Sequence, residues 1–332
     1  MSRHIQQPQN SEPAVSEQEP PEDTTTDTEN DNSGSSGVLV PENLNTPSAP
    51  PSALSSSAPQ KNPSGKKGDG RIVRETLTAL AEKRFIAIRN NAYLRNDTKH
   101  SNKKTVSEMN KPPDFKYKKT GKPLVLIYHT HATESFEDFK RDYYKKSFRT
   151  RTTDGNLNIT RIGREIAQIL TNEGIGVVHD ATLHDYPSYN GSYDRSADTV
   201  KKALKQHPGI QAVIDVHRDS IQRPNTDRVA PVAKVNGKNA AQLMLISGCD
   251  NGTFGFPDYW KNLRFSASVQ QRLEADYPGI TRPLSFTYKK YNQHLSPNSF
   301  LLEVGSNSNT LEEALYSARL FAASFAAALK EM

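Results

Sequence analysis

The chain has 332 residues, 34% of them hydrophobic and 24% charged, with a formal net charge of +6. No stretch approaches the roughly 20 apolar residues of a membrane span, and no apolar segment of the signal-peptide kind opens the chain. The single cysteine, Cys249, excludes an intrachain disulfide framework. Its neighbours Asp250-Asn-Gly252 read as a turn, which argues against a thiol nucleophile. These features leave two expectations: a cytosolic protein, or a chain that begins after a targeting segment.

Residues 1–70 read as disordered. Ser33-Gly-Ser-Ser-Gly and Pro47-Ser-Ala-Pro-Pro-Ser offer no core pattern, and too few apolar residues accompany them to offset ordering entropy. Ile72, Leu77, Leu80 and Ile86 recur near helical spacing and predict a helix within 71–95. Glu17–Asp31 is acidic, while Lys99–Lys122 is basic and residues 96–121 read as a basic tether. A basic segment suits nucleic acid, anionic lipid or an anionic wall polymer, although a solvated linker is the commoner case. Residues 1–112 are therefore assigned to a disordered or linker region and 113–332 to one catalytic domain, long enough for a sizeable core.

Within that domain, strands are expected at Pro123–Tyr128, Gly176–His179, Ile210–Val216, Arg282–Tyr288 and Ser299–Val304. Helices are expected at Asn158–Asn172, Ser192–Gln206, Asp258–Asp276 and Leu311–Lys330, the last capped by Asn309 or Thr310. Val232–Val235 and Gln242–Ser247 read as a hairpin about Asn236-Gly237. This alternation predicts an α/β fold: a single three-layer domain, a mostly parallel sheet with helices on both faces, preceded by the disordered N-terminal region.

Three segments carry the chemistry: His131-Ala-Thr-Glu134, Asp215-Val-His217-Arg218 and Leu302-Glu303-Val-Gly305. Each closes or follows an apolar strand-like run, and a βα protein gathers its strand ends at one edge of the sheet. Two imidazoles and two carboxylates therefore converge, the inventory of a catalytic zinc site. His131, Glu134 and His217 are the expected ligands. Glu303 is left as the base that takes a proton from the attacking water and passes it to the leaving nitrogen. Asp215 shares a strand face with His217 and is placed to orient the imidazole.

Each residue has a plainer reading. A lone His-x-x-Glu is usually two surface residues, but a carboxylate inside Leu301-Leu302-Glu303-Val304 is seldom buried without a purpose. His129 lies two residues from His131, so an extended chain sends both to one face and His129 stands as the alternative ligand. Arg218 would hold a substrate carboxylate or an oxyanion, or else make a structural salt bridge. Asn292 and Asn307 or Asn309 would bind substrate amides, or simply cap turns. Tyr143, Tyr144 and Arg151 fall in a long connection expected to form a groove wall.

Leu124–Phe136, Ile214–Ser220, Tyr291-Asn-Gln and Leu301–Ala314 together resemble the stage II sporulation protein P family, over about residues 120–332. The resemblance implies a zinc-dependent N-acetylmuramoyl-L-alanine amidase, often with endopeptidase activity, that cuts stem peptides from peptidoglycan during forespore engulfment. It implies a fold similar to zinc amidases and, more distantly, to zinc carboxypeptidases, whose His-x-x-Glu pair favours His131 over His129. A carboxypeptidase-like peptidase and a non-catalytic wall-binding scaffold are the competing functions. Implied partners are peptidoglycan, stage II sporulation protein D and stage II sporulation protein M, with no nucleic acid. The implied place is the outer face of the cytoplasmic membrane at the engulfing septum. Members usually carry an N-terminal membrane anchor, and none is visible in this sequence.

Overall fold

The computed structural model describes residues 68–332; the acidic stretch and the rest of 1–67 lie outside the described residues. In chain order the elements are β1 (Gly70–Glu75), β2 (Phe85–Ala87), β3 (Tyr93–Asn96), α1 (Asn102–Met109), β4 (Pro123–Tyr128), β5 (Tyr143–Tyr144), α2 (Ile159–Asn172), β6 (Gly176–His179), α3 (Ser192–Gln206), β7 (Ala212–Asp219), β8 (Arg228–Val235), β9 (Lys238–Ala241), β10 (Leu243–Gly248), α4 (Tyr259–Asp276), β11 (Leu284–Thr287), β12 (Ser299–Ser306) and α5 (Leu311–Glu331). Eight strands form one sheet in the order β2-β3-β11-β10-β12-β7-β4-β6, and β5-β1-β8-β9 form a second. In the large sheet only the β2–β3 and β10–β12 pairs are antiparallel. None of the helices among the described residues is long and apolar enough to cross a membrane.

Period-two alternation decides what each face of the sheet carries. Ile127, Ile214, Val216, Leu302 and Val304 pack with Ile162 and Ile166 of α2, Leu263 and Phe265 of α4, and Phe321 and Phe325 of α5. Leu126, Tyr128 and Val213 pack on the other face with Val200 and Ala203 of α3. Asp215, His217 and Glu303 alternate out of the first set, so they occupy the α3 side. That places the polar residues of β7 and β12 under the thinner helical layer, at the strand ends. Thr310 caps α5 with a reciprocal Glu313 contact.

The helix expected within 71–95 is not there. That segment supplies β1, β2 and β3. β1 pairs in parallel with β8, Ile72 opposite Arg228, and β3 pairs with β11, Leu94 opposite Leu284. Partners so distant in sequence leave no trace in a local spacing, and Leu80 of the supposed apolar face is 47% exposed. Asn90 and Asn91, both at φ 59, turn the chain between β2 and β3. The supposed tether contains α1, where Lys104 and Lys111 converge on the buried Glu108. The folded unit therefore reaches back across the expected boundary at 113. The Asn236-Gly237 turn forms as expected, but its second arm is β9; Leu243–Gly248 crosses into the large sheet instead. Cys249 is fully buried, and burial lifts its thiol pKa to about 12, consistent with an inert thiol.

Candidate active site

The end of β4 and the turn that follows build the first half of the site. Thr130 donates to Asp215 through its N–H at 2.9 Å and its hydroxyl at 2.6 Å, tying that turn to β7. The Glu134 N–H then closes on His131 O at 3.1 Å, so the chain has left the extended conformation. His131 is thereby sent to the α3 side, its ring 4.6 Å from Tyr189 and near parallel to it. Tyr189 Oη lies 3.2 Å from its Nε2 and Ser192 Oγ 3.4 Å from its Nδ1. Burial takes His131 down to a pKa of about 4, with Glu134 pulling the other way.

The second half comes from β7 and β12. The His217 ring stands perpendicular to that of His131, centroids 5.3 Å apart. Its Nδ1 lies 3.7 Å from Glu134 Oε2, and its Nε2 lies 2.8 Å from Asp215 Oδ1, off the line of a well-aligned hydrogen bond. Burial opposes charge on His217, yet Asp215, with Glu134 and Glu303 behind it, lifts its pKa to about 9. Asp215 is itself held below the ordinary carboxylate range: burial works against that, and His217 and Thr130 outweigh it. Glu303 sits opposite His217 across the β12–β7 pair, and its buried Oε2 has no partner. Burial, then Asp219, push its carboxyl up to about 8 against the pull of His217.

His131, Glu134, His217 and Glu303 are thus brought together as expected, and Asp215 stands where an orienting partner is expected. Among the described residues, however, no group of three or more His, Cys, Asp or Glu side chains is gathered closely enough to hold an ion as it stands. The donors nevertheless fit a small divalent ion. Two imidazoles and a carboxylate are its usual company, and donors of tetrahedral zinc lie about 3.3 Å apart. The 3.7 Å between His217 Nδ1 and Glu134 Oε2 needs only a few tenths of an ångström of closure to match that. The unpartnered Glu303 oxygen is the second sign of a group that the protein alone does not supply.

His129 is not with them. Its Nδ1 faces Val216 O at 2.9 Å and its Nε2 faces His179 Nε2 at 3.0 Å, under α2. Gly163 of α2 makes room, since a Cβ there would strike the His129 ring and come within 2.6 Å of His179 Nε2. The shared-face expectation fails because the strand ends before His131. Arg218 is buried and committed to its surroundings: Nε donates to Ser135 O at 3.0 Å and Nη2 to Thr150 O at 2.7 Å. Its backbone N–H donates to Glu134 Oε2 at 3.0 Å, so it positions that carboxylate and offers substrate little. Asn292 donates to Tyr193 O and Ser196 Oγ of α3, bracing the loop before β12. Asn307 donates to Ser220 Oγ, and Asn309 to Pro231 O and Glu313, all structural uses. Tyr143 and Tyr144 form β5 in the second sheet, away from the groove they were expected to line.

Arg151, by contrast, stands beside the site. Residues 150–152 run antiparallel to the turn after His131, with an isolated bridge between Glu134 and Arg151. Arg151 Nη1 donates to Asp185 Oδ2 at 2.6 Å and to Thr133 Oγ1 at 3.2 Å; Asp185 also accepts from the Thr133 N–H and hydroxyl. Asp185 and Tyr189 escaped the sequence reading because they lie in an irregular connection, with no strand end or motif spacing to mark them.

A family model described as Stage II sporulation protein P (SpoIIP) matches residues 61–326. The chain belongs to the stage II sporulation protein P family. The match begins ahead of β1, in agreement with a folded unit that includes the first three strands. Stage II sporulation protein P of Bacillus subtilis (strain 168) is 30% identical over 205 residues, 58% of this chain and 47% of that protein. The chain thus spans about half the length of the curated relative it matches. Among solved structures, the family member is similar to an N-acetylmuramoyl-L-alanine amidase of Nostoc punctiforme, at 16% identity and TM-score 0.34, covering 63% of this chain and 96% of that one. It is also similar to the CwlD amidase from Clostridioides difficile in complex with the GerS lipoprotein, at 13% identity and TM-score 0.37, covering 62% and 94%.

Proposed function

We propose that the chain is a peptidoglycan hydrolase of sporulation, a zinc-dependent N-acetylmuramoyl-L-alanine amidase. The observation that carries this reading is the convergence of His131, Glu134, His217 and Glu303 at the ends of β4, β7 and β12, the buried Glu303 Oε2 having no partner among the described residues. Family membership supports it. The setting that completes the proposal is forespore engulfment at the outer face of the cytoplasmic membrane, with stage II sporulation proteins D and M as the proposed partners.

His131, Glu134 and His217 would hold the zinc, which when bound supplies the Lewis acidity that makes water a nucleophile near neutral pH. Asp215 Oδ1, 2.8 Å from the far nitrogen of His217, would orient the ring by charge, with Nδ1 toward Glu134. Arg218 holds Glu134 in place from its backbone N–H. Glu303 lies opposite His217 on the neighbouring strand and has an oxygen, without a partner among the described residues, that would accept a proton from the attacking water. The proton that Glu303 takes up would then pass to the departing stem-peptide nitrogen.

The test is digestion of purified peptidoglycan by the zinc-loaded full-length chain, with the released fragments identified by mass spectrometry. Free, intact stem peptides are the expected product, and a chelator should stop their release. Shortened stems with none released intact would make the protein a peptidase, and an unchanged polymer would make it a scaffold.

A further inference from the structure

We propose that Arg151 and Tyr189 form a subsite that reads a carboxylate on the substrate, one residue beyond the amide that is cut. This deepens, and rests on, the amidase reading above. Two guanidiniums face Glu134, and they differ in availability. Arg218 is 5% exposed and spent on backbone carbonyls, whereas the Arg151 side chain is 34% exposed. Among the described residues only Nη1 of Arg151 finds a hydrogen-bond acceptor; Nη2 stands 3.5 Å from Glu134 Oε1.

The group is also held rigid. Backbone pairing fixes residue 151 against the Glu134 turn, and Asp185 and Thr133 hold one arm of the fork. The guanidinium carbon lies 5.0 Å from the centroid of Tyr189, whose ring in turn lies parallel to that of His131 at 4.6 Å. A fork immobilised before binding loses little entropy when it takes up a planar anion.

Position narrows the ligand. Nη2 borders Glu134, hence the place where the scissile carbonyl must lie, and one extended residue spans about 3.3–3.6 Å. A carboxylate one extended residue beyond the alanine at the cut therefore comes within reach of the exposed edge of Arg151. In a peptidoglycan stem the residue freed at the cut is alanine and the one beyond it is of glutamate type, whose free carboxyl occurs either as carboxylate or as carboxamide. A site built around a charged fork discriminates between the two, because the amide presents a donor where the fork needs an acceptor.

The experiment compares two muropeptides identical except for carboxylate or carboxamide at the second stem residue, with the zinc-loaded full-length chain. The native chain should favour the carboxylate in kcat/KM by about tenfold or more, mostly through KM. Arg151→Gln should bring the ratio close to one by slowing only the carboxylate substrate, and Arg151→Lys should restore part of it. Damage to the Glu134 turn would slow both substrates alike and leave the ratio unchanged. If Arg151→Gln is inactive, calorimetric binding of the same pair to Glu303→Gln, with and without Arg151→Gln, reads the ratio instead. Equal native rates on the two substrates, or a preference that survives Arg151→Gln, overturns the subsite. Failure of the native chain to cut either one overturns the amidase reading itself.

Discussion

Glu303→Gln in the metal-free full-length chain asks whether the buried carboxyl is kept protonated. Its folded pKa is about 8, whereas an unfolded chain leaves it near the ordinary 4.5. The folded state therefore binds this proton more tightly. The stabilisation is complete below about 4.5 and is lost as pH rises through 8. About 3.5 units at 1.36 kcal/mol each amount to something on the order of 5 kcal/mol. Gln keeps the shape and does not titrate, so most other groups cancel between the two proteins. His217 does not cancel, because Glu303 helps to support its charge. It acts in the same direction: with a folded pKa near 9, its contribution is present below about 6.5 and lost as pH rises through 9, and the variant starts with less of it. The slope belongs to the pair. Urea unfolding at pH 5, 7 and 9 should show the native chain losing about 3–5 kcal/mol relative to the variant across that range. A difference that moves by less than about 0.5 kcal/mol, the scatter of a neutral surface change, refutes a protonated Glu303.

Zinc binding to the native chain at neutral pH should expel protons, since the ion competes with those on His217 and Glu303; calorimetry in buffers of different ionisation enthalpy counts them, and no release would contradict the electrostatics of the site. His131→Ala and His217→Ala should each remove bound zinc, whereas His129→Ala should keep it while losing about 2–4 kcal/mol through an emptied buried site; elemental analysis beside urea midpoints separates the two effects. Gly163→Ala should destabilise by about 1–3 kcal/mol despite Ala's better helix propensity of about 1 kcal/mol, because the added Cβ meets two imidazoles. A chain beginning at 113 should lose cooperative unfolding, since it lacks β1 from the small sheet, β2 and β3 from the large one, and the helix α1.

The catalytic candidates were legible because each interrupts or ends an apolar run. Asp215 and His217 within an otherwise apolar strand, and Glu303 after Phe300-Leu-Leu, break a buried pattern that nothing but a partner or a task explains. Strand-end convergence did the rest. What escaped was whatever depends on contacts remote in sequence. β1 and β3 exist because β8 and β11 receive them, and a window of 25 residues around Leu77 contains neither partner. His129 and His131 were paired by alternation, but β4 ends at Tyr128, before either of them. Arg218 looked free because its partners Ser135 O and Thr150 O are backbone atoms, which no side-chain pattern announces.

The unusual protonation of the site follows from a charge count. Five carboxylates, Glu134, Asp185, Asp215, Asp219 and Glu303, meet three guanidiniums, Arg151, Arg218 and Arg282. Buried charge must be matched nearby, so the protein keeps two protons that water would remove: one on His217, whose pKa rises to about 9, and one on Glu303, near 8. The two shifts are one fact seen at two residues. A single divalent ion between His131, Glu134 and His217 would supply the same two charges and free both protons at once. His217 would then be neutral, as a ligand must be, and Glu303 ionised, as a base must be. On the proposed reading the ion and the base would be one device: the excess of acid that would draw the cation includes the carboxylate that would transfer the proton. Glu303→Gln removes one carboxylate from the count, which is why its effect should appear in stability without metal as well as in turnover with it.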